Sequence, residues 1–409
     1  MIASAPAADR IAACLPRSGH VFVQGCASES SALADAVEAA GARLGALTFT
    51  GIRVPGVNKR NGLSGPASRV ETFFMTPELT EVAESVDFLP LCYSDIARRW
   101  RVLPPAAALF AVSPPDSNGL CSFGPTVDFL AELWPQIPIR LAHINPLLPR
   151  TTGPTGIPFD ALEVVIDAPE PMAQLVGDAA DRRTDAIAAN VASLIGDGAT
   201  LQIGLGKLPS ALLRALTERR NLRIHSGLIG DGVLDLLNAG TITRGPDITA
   251  GVAIGTQRLY EVLPESGIVF RPVSYTHDSA TIAAQPNFVA INSVMAVDCY
   301  GQGYSEVGPE GWSSGAGGAT DFARGALAGN GLRIVALPSS AGSASRIVVR
   351  GRGPVTLART DIDIVVTEHG IADLRWKTHA ARAAALIAIA SPYHQETLAR
   401  AWRDDAAKP

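Results

Sequence analysis

The segment TLQIGLGKLPSALLRAL, from Thr200 to Leu216, is the most informative about the fold class. A short apolar run ends at Ile203, and the glycine-containing turn 204–206 follows it. A helix is expected to begin near Pro209, because proline is favoured in the first turn of a helix. The next apolar run, Leu222–His225, predicts a second strand. A strand, a helix and a strand in this order are typical of α/β proteins with parallel sheets.

The same alternation continues on both sides of this segment. Further strands are predicted at Val21–Gln24, Arg333–Leu337 and Asp363–Thr367, and helices at Ser31–Ala40, Ala186–Ile195 and Ala380–Ala390. The proline-containing stretch APEPM, residues 168–172, breaks this regularity, and a new helix is expected to open at Asp181 with Thr184 or Asp185 as its cap. The chain is too long for one core, so two α/β domains are predicted, at 1–175 and 180–409.

Composition restricts the class of protein further. Of the 409 residues, 47% are hydrophobic and 18% are charged, which favours large buried cores over disorder. We find no uninterrupted apolar run of about 18 residues and no signal-peptide pattern, so neither a membrane span nor export is expected. The five cysteines are scattered without a CxxC pair, which predicts reduced thiols and a cytoplasmic location. The net charge of -5 without a basic run argues against nucleic acid as a partner.

Glycine-rich turns are the first candidates for binding. The turn Gly204, Leu205, Gly206 would let a ligand approach the backbone, and the helix after it would offer free N–H groups to an anion. The loop before a helix predicted near Thr320 contains Gly317 and Gly318, and such a loop can present N–H groups to a developing oxyanion. Both stretches can equally be structural turns, so neither decides function alone.

Polar residues near predicted strand ends are the second group of candidates. His225 closes a predicted strand and is either a base or a buried structural residue, and the sequence alone favours the latter. Glu368 follows an apolar strand, and Gly370 and a predicted helix come after it. Because ligands of α/β sheets bind at the carboxyl ends of strands, Glu368 is a good site candidate. A further polar cluster, Asp298, Gln302 and Glu306, is read equally well as a turn.

Several common catalytic motifs are absent from the sequence. We find no zinc-ligand spacing, no phosphate-binding P-loop and no GxSxG elbow, and no metal or cofactor is expected. Residue chemistry alone therefore leads to an α/β enzyme that binds an anionic ligand.

Eight stretches, read in order, give the chain a resemblance to a known family. They are VDFLPLCYSDI (86–96), VSPPDSNGLCSFG (112–124), INPLLPRTTG (144–153), LQIGLG (201–206), IGDGVLDLLNAG (229–240), AINS with VDCYGQ (290–302), GAGGATDFARGA (315–326) and VVTEHGIADLR (365–375). Together they resemble the acetyl-CoA hydrolase/transferase family, which includes 4-hydroxybutyrate and butyrate:acetate CoA-transferases. The resemblance implies two open α/β domains of similar topology with the active site between them. It also implies an acyl-CoA substrate, a small carboxylate acceptor and a homodimer or larger homo-oligomer.

The resemblance also implies ping-pong chemistry on a glutamate. In such enzymes a glutamate carboxylate attacks the thioester, and an acyl-glutamyl anhydride and then an enzyme-CoA thioester follow. That glutamate lies in a segment like H-T-E-M, which here is 225–228, HSGL, so Gly227 stands at the nucleophile position. Gly318 matches the oxyanion-hole position, Gln285 an amide side chain near the thioester oxygen, and Glu368 a second active-site glutamate. The remaining matched positions, assigned to CoA or substrate binding, are Gly204, Leu205, Gly206, His225, Gly317 and Gly370.

Three hypotheses follow from a family site that has Gly227. CoA transfer would need another carboxylate, and Glu306 and Glu368 are the candidates. Hydrolysis of an acyl-CoA, at the thioester or at a C–C bond, would use water, with Glu368 as general base and the space beside Gly227 holding the water or a larger acyl group. A non-catalytic acyl-CoA-binding role is the third. Trp376 is a second departure, since the family usually has glycine there, and its indole is expected either to reshape the site or to pack on a neighbouring helix.

Overall fold

The computed structural model describes residues 6–60, 62–177, 181–243 and 245–406, and the chain divides into two compact units. The first unit comprises the residues up to Val176 together with Thr249–Thr276, and the second comprises Gly177–Ile248 and the residues from His277 onward. The sequence assigns Thr249–Thr276 to the C-terminal domain, whereas this segment packs with the first unit. Residues 1–5, 61, 180, 244 and 407–409 of the two predicted domains lie outside the described residues.

The described residues up to 176 form nine strands and five α-helices. The strands are β1 (Ser18–Val23), β2 (Ala46–Thr50), β3 (Arg69–Thr72), β4 (Val86–Phe88), β5 (Ala107–Val112), β6 (Leu120–Ser122), β7 (Ile139–Ile144), β8 (Gly156–Pro158) and β9 (Glu163–Asp167). The helices are α1 (Ala7–Cys14), α2 (Ser31–Ala40), α3 (Pro77–Thr80), α4 (Tyr93–Val102) and α5 (Leu130–Leu133).

The remainder of the chain continues the alternation. Its strands are β10 (Thr200–Gln202), β11 (Arg223–Ile229), β12 (Ile248–Ala253), β13 (Val269–Phe270), β14 (Phe288–Ser293), β15 (Ala296–Asp298), β16 (Gly303–Tyr304), β17 (Val307–Gly308), β18 (Gly311–Trp312), β19 (Leu332–Ala336), β20 (Ser340–Ala341), β21 (Ala344–Ser345), β22 (Ile347–Val348), β23 (Ile364–Thr367) and β24 (Gly370–Asp373). Its helices are α6 (Arg182–Ala192), α7 (Lys207–Ala215), α8 (Gly232–Asn238), α9 (Gln257–Ser266), α10 (Val273–Thr276), α11 (Ser279–Ala283), α12 (Ala319–Ala328), α13 (His379–Ala388) and α14 (Pro392–Ala406).

The first unit is built on a parallel sheet of seven strands in the order β4-β3-β2-β1-β5-β7-β9. Its strand β5, AALFAV, is buried at every position. A continuous apolar run of this kind forms a strand that is covered on both faces, as parallel sheets require. The segment that returns to this unit adds β13 and most of β12, which pair with each other in parallel.

The second unit repeats this plan. Its strands β11-β10-β14-β19-β23 are parallel neighbours, and β24 runs antiparallel at the edge beside β23. In each unit the first strand lies inside the sheet: β1 between β2 and β5, and β10 between β11 and β14. The fold class expected from the sequence, open α/β units of similar topology, is confirmed. Among the described residues, no helix combines the length and the apolar character needed to cross a membrane.

Three local predictions were wrong or displaced. β11 does not end at His225 but continues to Ile229, so His225 lies within a buried strand. The segment after Glu368 is strand β24, not a helix, because the chain reverses at once and Thr367 pairs with Gly370 at φ +141°. Helix α6 is capped by Asp181, whose carboxylate accepts the N–H of Thr184 at 2.8 Å.

Trp376 is remote from Glu368 along the sheet. β24 runs back so that Asp373 pairs with Ile364, the first residue of β23, whereas Glu368 follows the last residue of β23. The Trp376 side chain is fully exposed, and its backbone adopts a left-handed φ of +59°. It therefore neither packs on a neighbouring helix nor lies at the carboxyl edge of the sheet. The left-handed backbone explains why glycine suits this position.

Replacing Trp376 with glycine is expected to stabilise the protein. A left-handed backbone costs a non-glycine residue about 1–3 kcal/mol, and the added freedom of glycine in the unfolded chain offsets about 0.5–1 kcal/mol. Urea unfolding should therefore show a gain of up to about 2.5 kcal/mol for Trp376→Gly. Trp376→Ala removes the indole but keeps Cβ, so an equal gain from alanine would contradict the backbone explanation.

Candidate active site

The carboxyl ends of five parallel strands meet at one edge of the second unit's sheet. Gly204 follows β10, Gly227 lies near the end of β11, and Glu368 follows β23. The Ser226 hydroxyl donates to the carbonyl of Ile203 at 2.8 Å, which places Gly227 level with the start of the glycine turn. Since ligands of open α/β sheets bind at this edge, the sequence-predicted residues at these strand ends share the expected location.

The glycine turn leaves its backbone open. A Cβ built on Gly204 or Gly206 would meet no atom within 4 Å, and Gly206 has a φ of +109°. Helix α7 begins immediately afterwards at Lys207, two residues earlier than the expected start at Pro209, and Leu205 is half-buried. A small apolar pocket lies beside the turn, and it is lined by Val191, Ile203, Gly204, Leu208, Pro209, Leu212, Ile291, Ser293 and Ala336.

The space beside Gly227 is filled by an imidazole. A Cβ on Gly227 would lie 2.7 Å from Cε1 and 2.8 Å from Nε2 of His277. His277 lies shortly before α11, and its ring centroid lies 4.7 Å from that of Phe322. The expectation that Gly227 opens room for a water or a larger acyl group is therefore wrong: the volume belongs to the His277 side chain.

The same imidazole also covers Gly318. A Cβ on Gly318 would lie 2.5 Å from Nε2 of His277 and 2.7 Å from its Cδ2. Gly318 is the residue before α12, and Gly317 adopts a left-handed φ of +60°. The structure thus joins two sequence-predicted glycines through a histidine that sequence reasoning missed. No local pattern marks His277, because both glycines are distant from it along the chain.

His277 is held as a neutral imidazole. Burial, together with the neighbouring His225, lowers the pKa of His277 to about 3. His225 is itself buried, and its ring lies 6.3 Å from that of Phe288 and 6.5 Å from that of Phe322. His225 thus lies inside the unit, next to the group formed by His277 and the two glycines, rather than at an open strand end.

This burial predicts an acid-sensitive contribution to stability. In the unfolded chain His277 takes up a proton as the pH falls below about 6.5, while the folded protein keeps it neutral down to about 3. This contribution to the free energy of unfolding is therefore fully present above pH 6.5 and is lost as the pH falls toward 3. By pH 5 the loss is on the order of 2 kcal/mol. Urea unfolding at pH 7.5 and 5 should show this loss in the wild type and a smaller one in His277→Gln. Equal losses of stability in the wild type and in His277→Gln would contradict the assignment of His277 as a buried neutral imidazole.

Glu368 is held firmly at the end of β23. Its carboxylate accepts hydrogen bonds from the backbone N–H and the hydroxyl of Ser339, both at 2.8 Å, and His369 Nε2 lies 3.9 Å away. The side chain is 12% exposed, so it is largely but not completely buried. Gly370 makes the sharp turn behind it, and a Cβ there would meet Ile389 at an ordinary 3.6 Å.

Glu368 follows β23, which is not adjacent in the sheet to β11, the strand that contains Gly227. Four strand spacings separate β11 from β23, or about 19 Å of sheet edge. Helix α12, which follows Gly318, packs against β14 and β19, about 5–10 Å from β23. Along the sheet, Glu368 is therefore closer to the strands that α12 covers than to β11.

The other predicted carboxylates and the amide have local partners. Glu306 is buried and accepts the hydroxyl hydrogen of Thr356 at 2.9 Å. Asp298 accepts hydrogen bonds from its own turn, including the amide of Gln302 at 2.8 Å, which supports the interpretation as a turn. Gln285 donates to the carbonyl of Thr281 at 3.1 Å and precedes the amino end of β14. The structure thus places Gln285 at the opposite edge of the sheet, away from Gly227 and Gly318.

The described parts of the chain hold no group of three or more His, Cys, Asp or Glu side chains close enough to bind a metal ion. The groups present at this edge are two glycines, a neutral histidine, a helix N-terminus and one anchored carboxylate.

Comparison with known proteins identifies the family. The family model described as acetyl-CoA hydrolase/transferase C-terminal domain matches residues 255–402. The chain is 38% identical over 326 residues to the 4-hydroxybutyrate coenzyme A transferase of Clostridium kluyveri, covering 76% of each chain. It is 35% identical to a succinyl-CoA:acetate/propanoyl-CoA:succinate CoA transferase of Fasciola hepatica, covering 78% of this chain and 70% of the relative.

Comparison with solved structures indicates the same family. RipA from Yersinia pestis has a TM-score of 0.89 at 27% identity, covering 98% of this chain and 96% of its own. A 4-hydroxybutyrate CoA-transferase from Porphyromonas gingivalis has a TM-score of 0.79 at 28% identity, covering 98% and 97%. Sequence and fold agree over most of the chain, and the protein belongs to the acetyl-CoA hydrolase/transferase family.

Proposed function

We propose that this protein is an enzyme that moves CoA between an acyl-CoA thioester and a small carboxylate. The proposal is supported by the relatives, which are named for CoA transfer involving 4-hydroxybutyrate, succinate, acetate and propanoate. The observation that carries it is the carboxylate of Glu368, anchored by Ser339 at the carboxyl edge of the sheet.

Glu368 is the better candidate for the attacking carboxylate. Position 227 has no side chain, and Glu306 is only 4% exposed and bonded to Thr356. Attack by Glu368 would form a C–O bond to the acyl carbon and break its C–S bond, and CoA would leave as a thiolate. The two hydrogen bonds from Ser339 fix the carboxylate in one orientation, which a reacting group requires.

Hydrolysis is the second candidate, and the pairing of Gly227 with His277 favours it. A site that fills its usual nucleophile position with an imidazole does not form an acyl-enzyme there. Water would then attack the acyl carbon, Glu368 would take its proton, and the C–S bond would break to give a carboxylic acid and CoA. The water would lie near Glu368, because the space beside Gly227 is occupied.

One assay separates these reactions. The purified protein is mixed with acetyl-, butyryl-, 4-hydroxybutyryl- and succinyl-CoA, with and without isotopically labelled acetate. Free thiol and labelled acetyl-CoA are then measured in the same samples. Label exchange that needs acetate supports transfer, and thiol release without acetate supports hydrolysis. Binding of the thioesters without either signal would support a purely binding role and contradict the enzymatic proposal.

A homo-oligomeric assembly and a cytoplasmic location remain predictions from the sequence. The proposal does not specify the identity of the acyl group. The pocket beside the glycine turn is small and apolar, so it favours nothing more specific than an aliphatic chain.

A further inference from the structure

The imidazole of His277 lies where two partly exposed glycines meet. Gly227 and Gly318 are each half-buried, whereas His277 is 4% exposed. The ring is therefore buried, and it lies next to two backbone positions that are partly exposed. Its Nε2 atom is common to both close approaches, at 2.8 Å from a Cβ on Gly227 and 2.5 Å from one on Gly318.

We propose that His277 is a catalytic residue that donates a hydrogen bond from Nε2 to the carbonyl oxygen of a bound thioester, beside the N-terminus of α12. The inference rests on the proposed function and names the side chain that polarises its substrate. It replaces Gln285, which was expected in this role and lies at the other edge of the sheet.

The imidazole ring of His277 fits between Gly227 and Gly318 because neither glycine has a side chain. A Cβ at either position would overlap the imidazole, so Gly227, His277 and Gly318 form one packed unit. Phe322 supports the ring from within the first turns of α12. A donor used in catalysis must be held in a fixed position, and this packing supplies the restraint.

The charge state of His277 suits a donor rather than a base. A neutral imidazole carries one N–H and one lone pair. Because burial and His225 keep its pKa at about 3, the ring stays neutral at physiological pH. A neutral N–H can stabilise the negative charge that develops on a carbonyl oxygen without giving up its proton. A base of such low pKa would be a poor proton acceptor at neutral pH.

The start of α12 supplies a second set of donors. The helix has ten residues and begins directly after Gly318, and the first N–H groups of any helix lack intrahelical partners. Those N–H groups and the positive end of the helix dipole favour a developing oxyanion. The thioester oxygen would thus be bound between Nε2 and the N-terminus of the helix.

Three variants test this assignment. His277→Gln retains a donor close to the position of Nε2, His277→Leu retains volume without a donor, and His379→Asn is the control on an exposed histidine. With the best thioester of the panel, we expect kcat of His277→Gln to stay within about tenfold of the wild type, and that of His277→Leu to fall about 100- to 1,000-fold. His379→Asn should be unchanged, and all four proteins should melt within a few degrees of each other.

Two kinetic results would overturn the proposal. One is a His277→Leu protein that turns over at the wild-type rate, since packing alone would then explain the ring. The other is a His277→Gln protein that falls as far as His277→Leu while remaining folded, since a donor would then not be what matters.

A binding measurement separates this inference from the proposed function. Nitrogen-15 spectra of histidine-labelled protein are recorded with CoA and with an acetyl-CoA analogue that has CH2 in place of sulfur and keeps its carbonyl. The His277 Nε2 signal, assigned by its loss in His277→Gln, should shift with the ketone and not with CoA. If the wild type turns over no thioester but this shift occurs, only the proposed reaction fails. A ketone that leaves the signal unmoved, or does not bind, overturns the inference.

Discussion

Replacing Gly227 with glutamate is expected to lower the free energy of unfolding by about 3 kcal/mol or more. The new Cβ would lie 2.7 Å from Cε1 and 2.8 Å from Nε2 of His277. The ring has little room to move away, because Phe322 packs against it with the two ring centroids 4.7 Å apart. Overpacking of a buried site costs about 1–3 kcal/mol, and a partly buried carboxylate adds to that.

Two further variants serve as controls for this prediction. Gly227→Ala adds the Cβ alone and should lose about 1–3 kcal/mol. The double variant Gly227→Glu/His277→Asn should recover much of the loss, since asparagine lacks counterparts of Cε1 and Nε2, the two atoms nearest residue 227. Urea unfolding measures all three. A Gly227→Glu protein as stable as the wild type would show that His277 does not occupy the position in solution.

Replacing Glu368 with glutamine is expected to reduce turnover of acyl-CoA by at least about 100-fold. Loss of a covalent nucleophile costs on the order of 10⁴–10⁶ in rate, and loss of a general base about 10²–10⁴. The size of the fall therefore distinguishes transfer through Glu368 from hydrolysis assisted by it. Glutamine keeps the shape of the side chain, and its carbonyl can still accept one of the two Ser339 hydrogen bonds.

Ser339→Ala is the matched control for Glu368. It removes the hydroxyl donor but leaves the backbone N–H and the carboxylate, so the charge stays while one restraint is lost. We expect about a tenfold fall in kcat, well below that of Glu368→Gln. If Glu368→Gln retains full turnover with every thioester, Glu368 is structural and both proposed reactions lose their carboxylate.

The sequence predicts the fold class well because the signal is local. The apolar runs of β1, β10, β19 and β23 and the amphipathic helices between them specify a parallel α/β sheet within short windows. The predicted helix Ser31–Ala40 has the same bounds as α2. Prediction failed where strand pairing determines the structure. The segment GIADLR was expected to form a helix, because its sequence is compatible with a helix or a strand. Pairing with β23 makes it strand β24.

The site was only partly predictable for the same reason. Glycines at 204, 206 and 318 and the carboxylate at 368 could be named from motifs at strand and helix ends. The content of the space beside Gly227 could not, because His277 reaches it from a distant part of the chain. A missing side chain in the sequence suggested a vacancy, whereas a close-packed interior fills such a space with another residue. The family resemblance placed the amide role on Gln285, but tertiary structure put His277 beside Gly318.

The imidazole of His277 occupies the space that a side chain at position 227 would need. The test uses the Gly227→Glu/His277→Asn protein incubated with acyl-CoA. Its intact mass is measured with and without hydroxylamine, which traps an activated glutamate. We expect a trapped adduct on the introduced glutamate of the double variant, and none at position 227 of the wild type. A double variant that folds and binds acyl-CoA but yields no adduct at position 227 would contradict this assignment.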